Sequence, residues 1–175
     1  MDSKRAFASD VAFTPAVKAI QASKGSRQAY ARMEQRGSWE TTITNELAAF
    51  IAEQNSFFMA TANTEGQPYI QHRGGPRGFL RVLDETTLAF ADFRGNKQFI
   101  SLGNLGENPK VHLFLIDYAN QRRIKIWGEA IVVEDDPELV EELTVPGYDA
   151  KPERAIVIHV TAWDENCPQH IPQHP

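Results

Sequence analysis

The spacing of apolar residues changes period near residue 55. Before that point the chain reads as helical. Thr14-Pro15 supplies an N-cap followed by proline at the first helical position, and Val17 and Ile20 form a short apolar stripe ended by Gly25. Ser26 caps a second helix carrying Ala29, Tyr30 and Met33, expected to stop near Gly37. A third starts around Thr44, with Leu47, Phe50 and Ile51 at i, i+3 and i+4 on one face. The first two stripes are too thin for helices that stand alone, so they should pack on another surface, such as a second subunit.

After residue 55 the period is two. Residues 56–62 predict a strand, 63–66 a turn and 67–73 the hairpin partner. Residues 74–78, rich in glycine and proline, predict a loop. Residues 79–83 and 87–93 predict a second hairpin, and 111–116 a strand rich in branched residues. The clearest alternation lies at 123–132. There Ile124, Ile126, Gly128, Ala130 and Val132 face one way, and Arg123, Lys125, Trp127 and Glu129 the other. Asp136-Pro137 opens a short helix with Leu139, Val140 and Leu143, and residues 155–162 predict a last strand.

At least six closely spaced antiparallel strands joined by short turns favour a mainly β fold, a closed or nearly closed small barrel with flanking helices. The 175 residues are expected to form one domain: a helical segment over 1–54, the barrel over 55–163 and an arm over 164–175. Hydrophobic residues make up 42% of the chain, enough for a real core. Eighteen basic and twenty-three acidic residues give a net charge of −5, which argues against nucleic acid or an anionic membrane as partner. It leaves room for one small basic pocket. The single cysteine, Cys167, has no internal partner, and no apolar run is long enough to span a membrane, so a cytoplasmic location is expected.

Three basic pairs flank the strands. Asp92-Phe93-Arg94-Gly95-Asn96-Lys97-Gln98 stands where a strand gives way to a helix expected over 96–102, a place suited to phosphate because helix N-termini present free N–H groups. A capped turn with two solvated basic residues fits the same spacing. His72-Arg73 and Arg77 flank the glycine-rich loop, and Arg122-Arg123 open a strand. Arginine recognises phosphate or carboxylate bidentately. Clustered on an acidic protein, these pairs suggest a pocket for an anionic small molecule. The five histidines show no metal-ligand spacing, so no metal is expected, and nucleophilic hydrolase motifs are absent.

The order of these elements, with Gln67-Pro68-Tyr69-Ile70-Gln71-His72-Arg73, Ala91-Asp92-Phe93 and above all 103–111 (Gly103 through Asn108-Pro109-Lys110-Val111), resembles the pyridoxamine 5′-phosphate oxidase-like family of FMN-binding split β-barrels. The likeness covers roughly residues 45–165. The helical front and the 163–173 ending look like its branch of predicted flavin-nucleotide-binding proteins. The resemblance implies a six-stranded Greek-key barrel and a homodimer holding two FMN molecules at the subunit interface. It places Gln71, His72 and Arg73 along the isoalloxazine and ribityl chain. Asp92, Phe93, Asn96, Lys97 and Gln98 would supply phosphate and ring contacts. Arg123 would reach the flavin from the other subunit, and Trp163 would lie near the ring.

Two departures stand out. Counting back from Asn108-Pro109, Ser101 rather than Lys97 takes the place of a common phosphate-binding lysine, so either or both would contact the phosphate. The arginine–histidine pair that true pyridoxamine phosphate oxidases use near the C-terminus has no match, since Cys167-Pro168-Gln169-His170 stands there. The expected function is an FMN-dependent oxidoreductase acting on a small planar or conjugated substrate, with His72, Trp163, Cys167 and His170 as wall residues. The alternatives are a non-catalytic flavin-binding or redox-sensing protein, then haem or F420 handling, or pyridoxamine phosphate oxidation.

Overall fold

The computed structural model describes residues 5–174. The first four residues of the expected helical segment and Pro175 of the expected arm lie outside the described residues. Helices α1 (Pro15–Lys24), α2 (Arg27–Gln35) and α3 (Asn45–Glu53) come first. Strands β1 (Ser56–Ala62), β2 (Pro68–Gly74), β3 (Arg81–Asp84) and β4 (Thr87–Phe93) follow, then α4 (Ile100–Glu107). Strands β5 (Lys110–Asp117) and β6 (Arg122–Val133), helix α5 (Pro137–Leu143) and β7 (Pro152–Glu165) complete the chain.

The starts of α1, α3 and α5 follow their capping chemistry, whereas Ser26 opens α2 without the side-chain cap expected of it. Thr14 Oγ1 accepts from the Val17 amide at 3.3 Å, and Gly25 closes α1 in the left-handed region, φ 86°. Thr44 does the same for α3 through the Leu47 amide at 3.2 Å, and Leu47, Phe50 and Ile51 are all buried. The thin stripes of α1 and α2 are compensated by polar contacts. Lys18 donates to Asp10 at 2.7 Å, Arg27 to Gln21 at 2.6 Å, and Arg27 also pairs with the buried Glu34. Trp39, just beyond α2, stacks on Trp127 of β6 with centroids 4.8 Å apart. The two helices pack on each other, and Trp39 ties the segment beyond them to the outer side of β6.

All seven strand segments read from the alternation form strands, in one antiparallel sheet of order β2-β1-β5-β6-β7-β4-β3. Seven strands stand where the resemblance implied six, and the sheet is not closed: β2 and β3 are edges, with no ladder between them. The sheet nevertheless curls on itself. Phe57 of β1 meets Phe90 of β4 edge-on at 5.2 Å, although three strands separate them in the hydrogen-bonding order. The curled interior is one apolar cluster that includes Met59, Leu88, Leu113, Ile126, Ile156 and Ile158. At Gly128 the β6–β7 register shifts, and a Cβ there would lie 2.5 Å from the His159 carbonyl, so only glycine fits.

Several boundaries move. The expected strand over 79–83 begins only at Arg81, because Phe79 and Leu80 turn inward to the core. The helix expected over 96–102 is α4, which begins at Ile100. Lys97 and Phe99 take left-handed φ values of 60° and 57°, which no helix tolerates. β7 runs to Glu165, two residues into the expected arm.

Candidate functional site

Curling brings β2 alongside β4 without joining them, and side chains fill the resulting gap. Alternation along β2 places Tyr69, Gln71 and Arg73 on its more protected side, facing Asp92 and Phe93 of β4. With Glu153 and Arg154 of β7, residues 95–99 and the first turn of α4, they line a cleft of about 200 Å³.

Asp92, only 4% exposed, is the centre of its charge network. One carboxylate oxygen pairs with Arg73 Nη1 of β2. The other accepts from Arg154 Nη1 of β7 at 2.8 Å. Arg154 also donates to Glu153 at 3.1 Å and to Glu134 at 3.2 Å. Burial works against the Arg154 charge, but the Asp92 hydrogen bond and the carboxylates outweigh it, so its pKa lies above the ordinary arginine value. Arg73 is less committed. Its guanidinium lies 5.6 Å from the Phe90 ring, and its Nε is buried with no hydrogen-bond partner among the described residues. Three cations, Arg73, Lys97 and Arg154, thus face two carboxylates, Asp92 and Glu153.

α4 supplies the remaining donors. Asn104 Nδ2 donates to the buried Thr61 Oγ1 of β1 at 2.9 Å, and Ser101 Oγ to Gln71 Oε1 of β2 at 3.0 Å. The helix is therefore pinned with its N-terminus at the cleft, and no side chain caps it. Asn96 instead holds the preceding loop, accepting from the Gln98 amide at 3.1 Å.

Of the residues expected from the sequence, Gln71, Arg73, Asp92, Phe93, Asn96, Lys97, Gln98 and Ser101 come together here. Both alternatives for the phosphate, exposed Lys97 and buried Ser101, line the same cleft. Three do not join them. His72 points to the other side of β2, its ring edge-on to Phe58 at 5.4 Å. Arg123 donates to the Cys167 carbonyl at 2.9 Å and to that of Gln169 at 3.4 Å, which straps the C-terminal arm to β6. Trp163 packs on the core and donates its indole N–H to the Thr42 carbonyl at 2.8 Å. Cys167 and His170 follow the arm, and Cys167 is exposed.

Tyr69, Phe99, Glu153 and Arg154 line the cleft without having been singled out. For Arg154 a signal existed. It has the same parity as buried Ile156, Ile158 and Val160, so it sits in phase with the inward residues of β7. Elsewhere, burial, with Lys125 as the lesser cause, pushes His112 down to about 4 from the ordinary 6.5. Its ring lies against Trp127 at 4.7 Å. Among the described residues no cluster of three or more histidine, cysteine or acidic side chains could hold a metal ion. No helix there is long and apolar enough to cross a membrane.

An open, curled antiparallel sheet with a cationic cleft in its seam defines a small split-barrel class. Residues 43–167 match the family described as pyridoxamine 5′-phosphate oxidase, and the chain belongs to that family. No curated protein matches the chain. Among solved structures, Group A Streptococcus HupZ is similar at 21% identity and a TM-score of 0.57, covering 76% of this chain and 99% of its own. An FMN-binding protein from Syntrophomonas wolfei subsp. wolfei is similar at 13% identity and a TM-score of 0.54, covering 83% of this chain and 97% of its own. At these identities the two structures support the fold alone.

Proposed function

We propose that the chain binds FMN, with the phosphate end in the cleft between β2 and β4. The observation that carries this reading is Arg73, a cleft-lining arginine with a buried, unpartnered Nε. A buried donor left without a partner costs free energy, and an anion in the cleft would satisfy it. Lys97 and the uncapped start of α4 complete a donor set of the kind phosphates select, which the Ser101 hydroxyl joins by turning away from Gln71 Oε1. The family membership supports flavin over other phosphate esters.

A cleft of about 200 Å³ is smaller than the roughly 300–1,000 Å³ of sites that enclose a whole ligand. It suits the phosphate and ribityl chain, with the ring system reaching beyond. In this reading residues 1–175 form one domain, and a homodimer covers the ring with its second subunit. When bound, FMN supplies the redox chemistry, and the protein binds and orients it. Arg73, Gln71 and Tyr69 then lie along the nucleotide, and Asp92 acts on the arginines rather than on the flavin. We assign the protein as an FMN-dependent oxidoreductase for a small planar or conjugated substrate in a cytoplasmic, reducing setting.

The test is direct. Protein incubated with FMN and desalted should be yellow, elute as a dimer and turn over reduced flavin with a small electron acceptor. A colourless protein that fails to take up FMN contradicts the reading. Tight FMN without turnover assigns a flavin-binding or redox-sensing role instead.

A further inference from the structure

We infer that Arg154 and Asp92 are positioning residues, a brace across the open seam that holds Arg73 ready for the phosphate end of the ligand. The inference rests on the FMN reading above.

The seam lies where the β2 edge faces the end of β4 beyond its β3 ladder, which covers only Thr87, Leu88 and Ala89, and there β2 and β4 share no strand pairing. What joins them inside the cleft is a chain of charges: Arg154 on β7, Asp92 on β4, Arg73 on β2. The two ends of that chain differ. Arg154 is held by three carboxylates, Asp92, Glu134 and Glu153, each on a different nitrogen. An arginine already matched by three anions has little charge left for a fourth. Arg73 is matched by Asp92 alone and keeps a buried nitrogen without a partner. The saturated arginine is therefore the anchor and the unsaturated one the binder.

Asp92 transmits the anchoring because its two oxygens divide between the arginines. Without Arg154 its carboxylate is free to turn with Arg73 and neutralise it. Without Asp92 two guanidiniums of like charge are left side by side in a buried setting and separate. Either change leaves Arg73 present but misdirected. The loss then falls on the phosphate and spares the rest of the flavin.

FMN and riboflavin differ only by that phosphate, so affinities for both, read by quenching of flavin fluorescence, test the brace. The unaltered protein should prefer FMN. Arg154→Gln and Asp92→Asn should each weaken FMN about tenfold, the factor a charge-assisted hydrogen bond carries, and leave riboflavin within about twofold. In an Arg73→Gln background, Arg154→Gln should cost nothing further, because its effect runs through Arg73. Arg154→Lys keeps the charge without the fork and should behave like Arg154→Gln, which guards against a variant that fails to fold. Additive losses from Arg73 and Arg154 would overturn the brace and make Arg154 a direct ligand. Equal loss of FMN and riboflavin would overturn it in favour of a structural role. Tighter FMN binding by Asp92→Asn would reduce Asp92 to a repelling charge. Equal affinities of the unaltered protein for the two flavins remove the phosphate placement itself, and the brace with it.

Discussion

The inward faces of the strands carry two chemistries. Midway along them, Met59, Leu88, Phe90, Ile156 and Ile158 pack into one dry cluster. A step or two further along the same faces stand Arg73, Asp92 and Arg154. Asp92 is in phase with Leu88 and Phe90, and Arg154 with Ile156 and Ile158. The difference follows the backbone. Where each strand is paired on both sides, the interior is sealed and apolar residues fill it. Where β2 and β4 part, no ladder closes the wall, and ion pairs bridge the gap. A buried ion pair gains little net stability over an apolar contact of the same size. Its presence at the seam points to binding, whereas the dry cluster accounts for folding.

Substitutions should separate the two regions. The largest effect belongs to the dry cluster: Ile126→Ala removes fully buried methylenes and should cost about 2–5 kcal/mol by chemical denaturation, with the FMN-to-riboflavin affinity ratio unchanged. Gly128→Ala pushes a Cβ against the His159 carbonyl and should cost about 1–3 kcal/mol, again without altering that ratio. At the seam the pattern should invert. Arg73→Gln leaves Asp92 paired with Arg154, so the melting temperature should barely move while FMN affinity falls at least about tenfold. Lys97→Ala combined with Ser101→Ala should lower FMN affinity by a smaller factor, since Lys97 is exposed and its charge is screened. If FMN binding is untouched by that pair, the phosphate lies elsewhere.

The last effect lies outside both regions and is read in pH rather than in affinity. His112 is held neutral in the folded chain with a pKa of about 4, while the unfolded chain protonates it near 6.5. The unfolded state binds the extra proton between those values, so this contribution to stability is complete above pH 6.5 and is lost as the pH falls toward 4. Melting curves across that range should show the decline, and His112→Gln should flatten it.

Much of this was legible in the chain. The strands were readable because alternation is a strong signal when one face is buried, as Ile124, Ile126 and Ala130 show. Thr14, Thr44 and Asp136 marked their helix starts because capping is local. The start of α4 was not, since nothing in Asn96-Lys97-Gln98-Phe99 requires two left-handed residues without glycine. Nor was the open seam, because pairing partners many residues apart leave no mark on either segment alone. Eight residues of the cleft could be named because they sit in two short stretches near strand ends. Arg123 and Trp163 stand outside this cleft of their own chain, and a residue's number does not reveal what the rest of its chain offers it. Each finds a backbone carbonyl partner within its own chain.

The proposed seat of the FMN phosphate is the seam between β2 and β4. A crystal structure of the FMN-loaded protein tests it most directly. The phosphate should lie within hydrogen-bonding distance of the Arg73 guanidinium and the first turn of α4, with Arg154 still bound to Asp92. Phosphate held anywhere else, with Arg73 Nε still unpartnered, would contradict it.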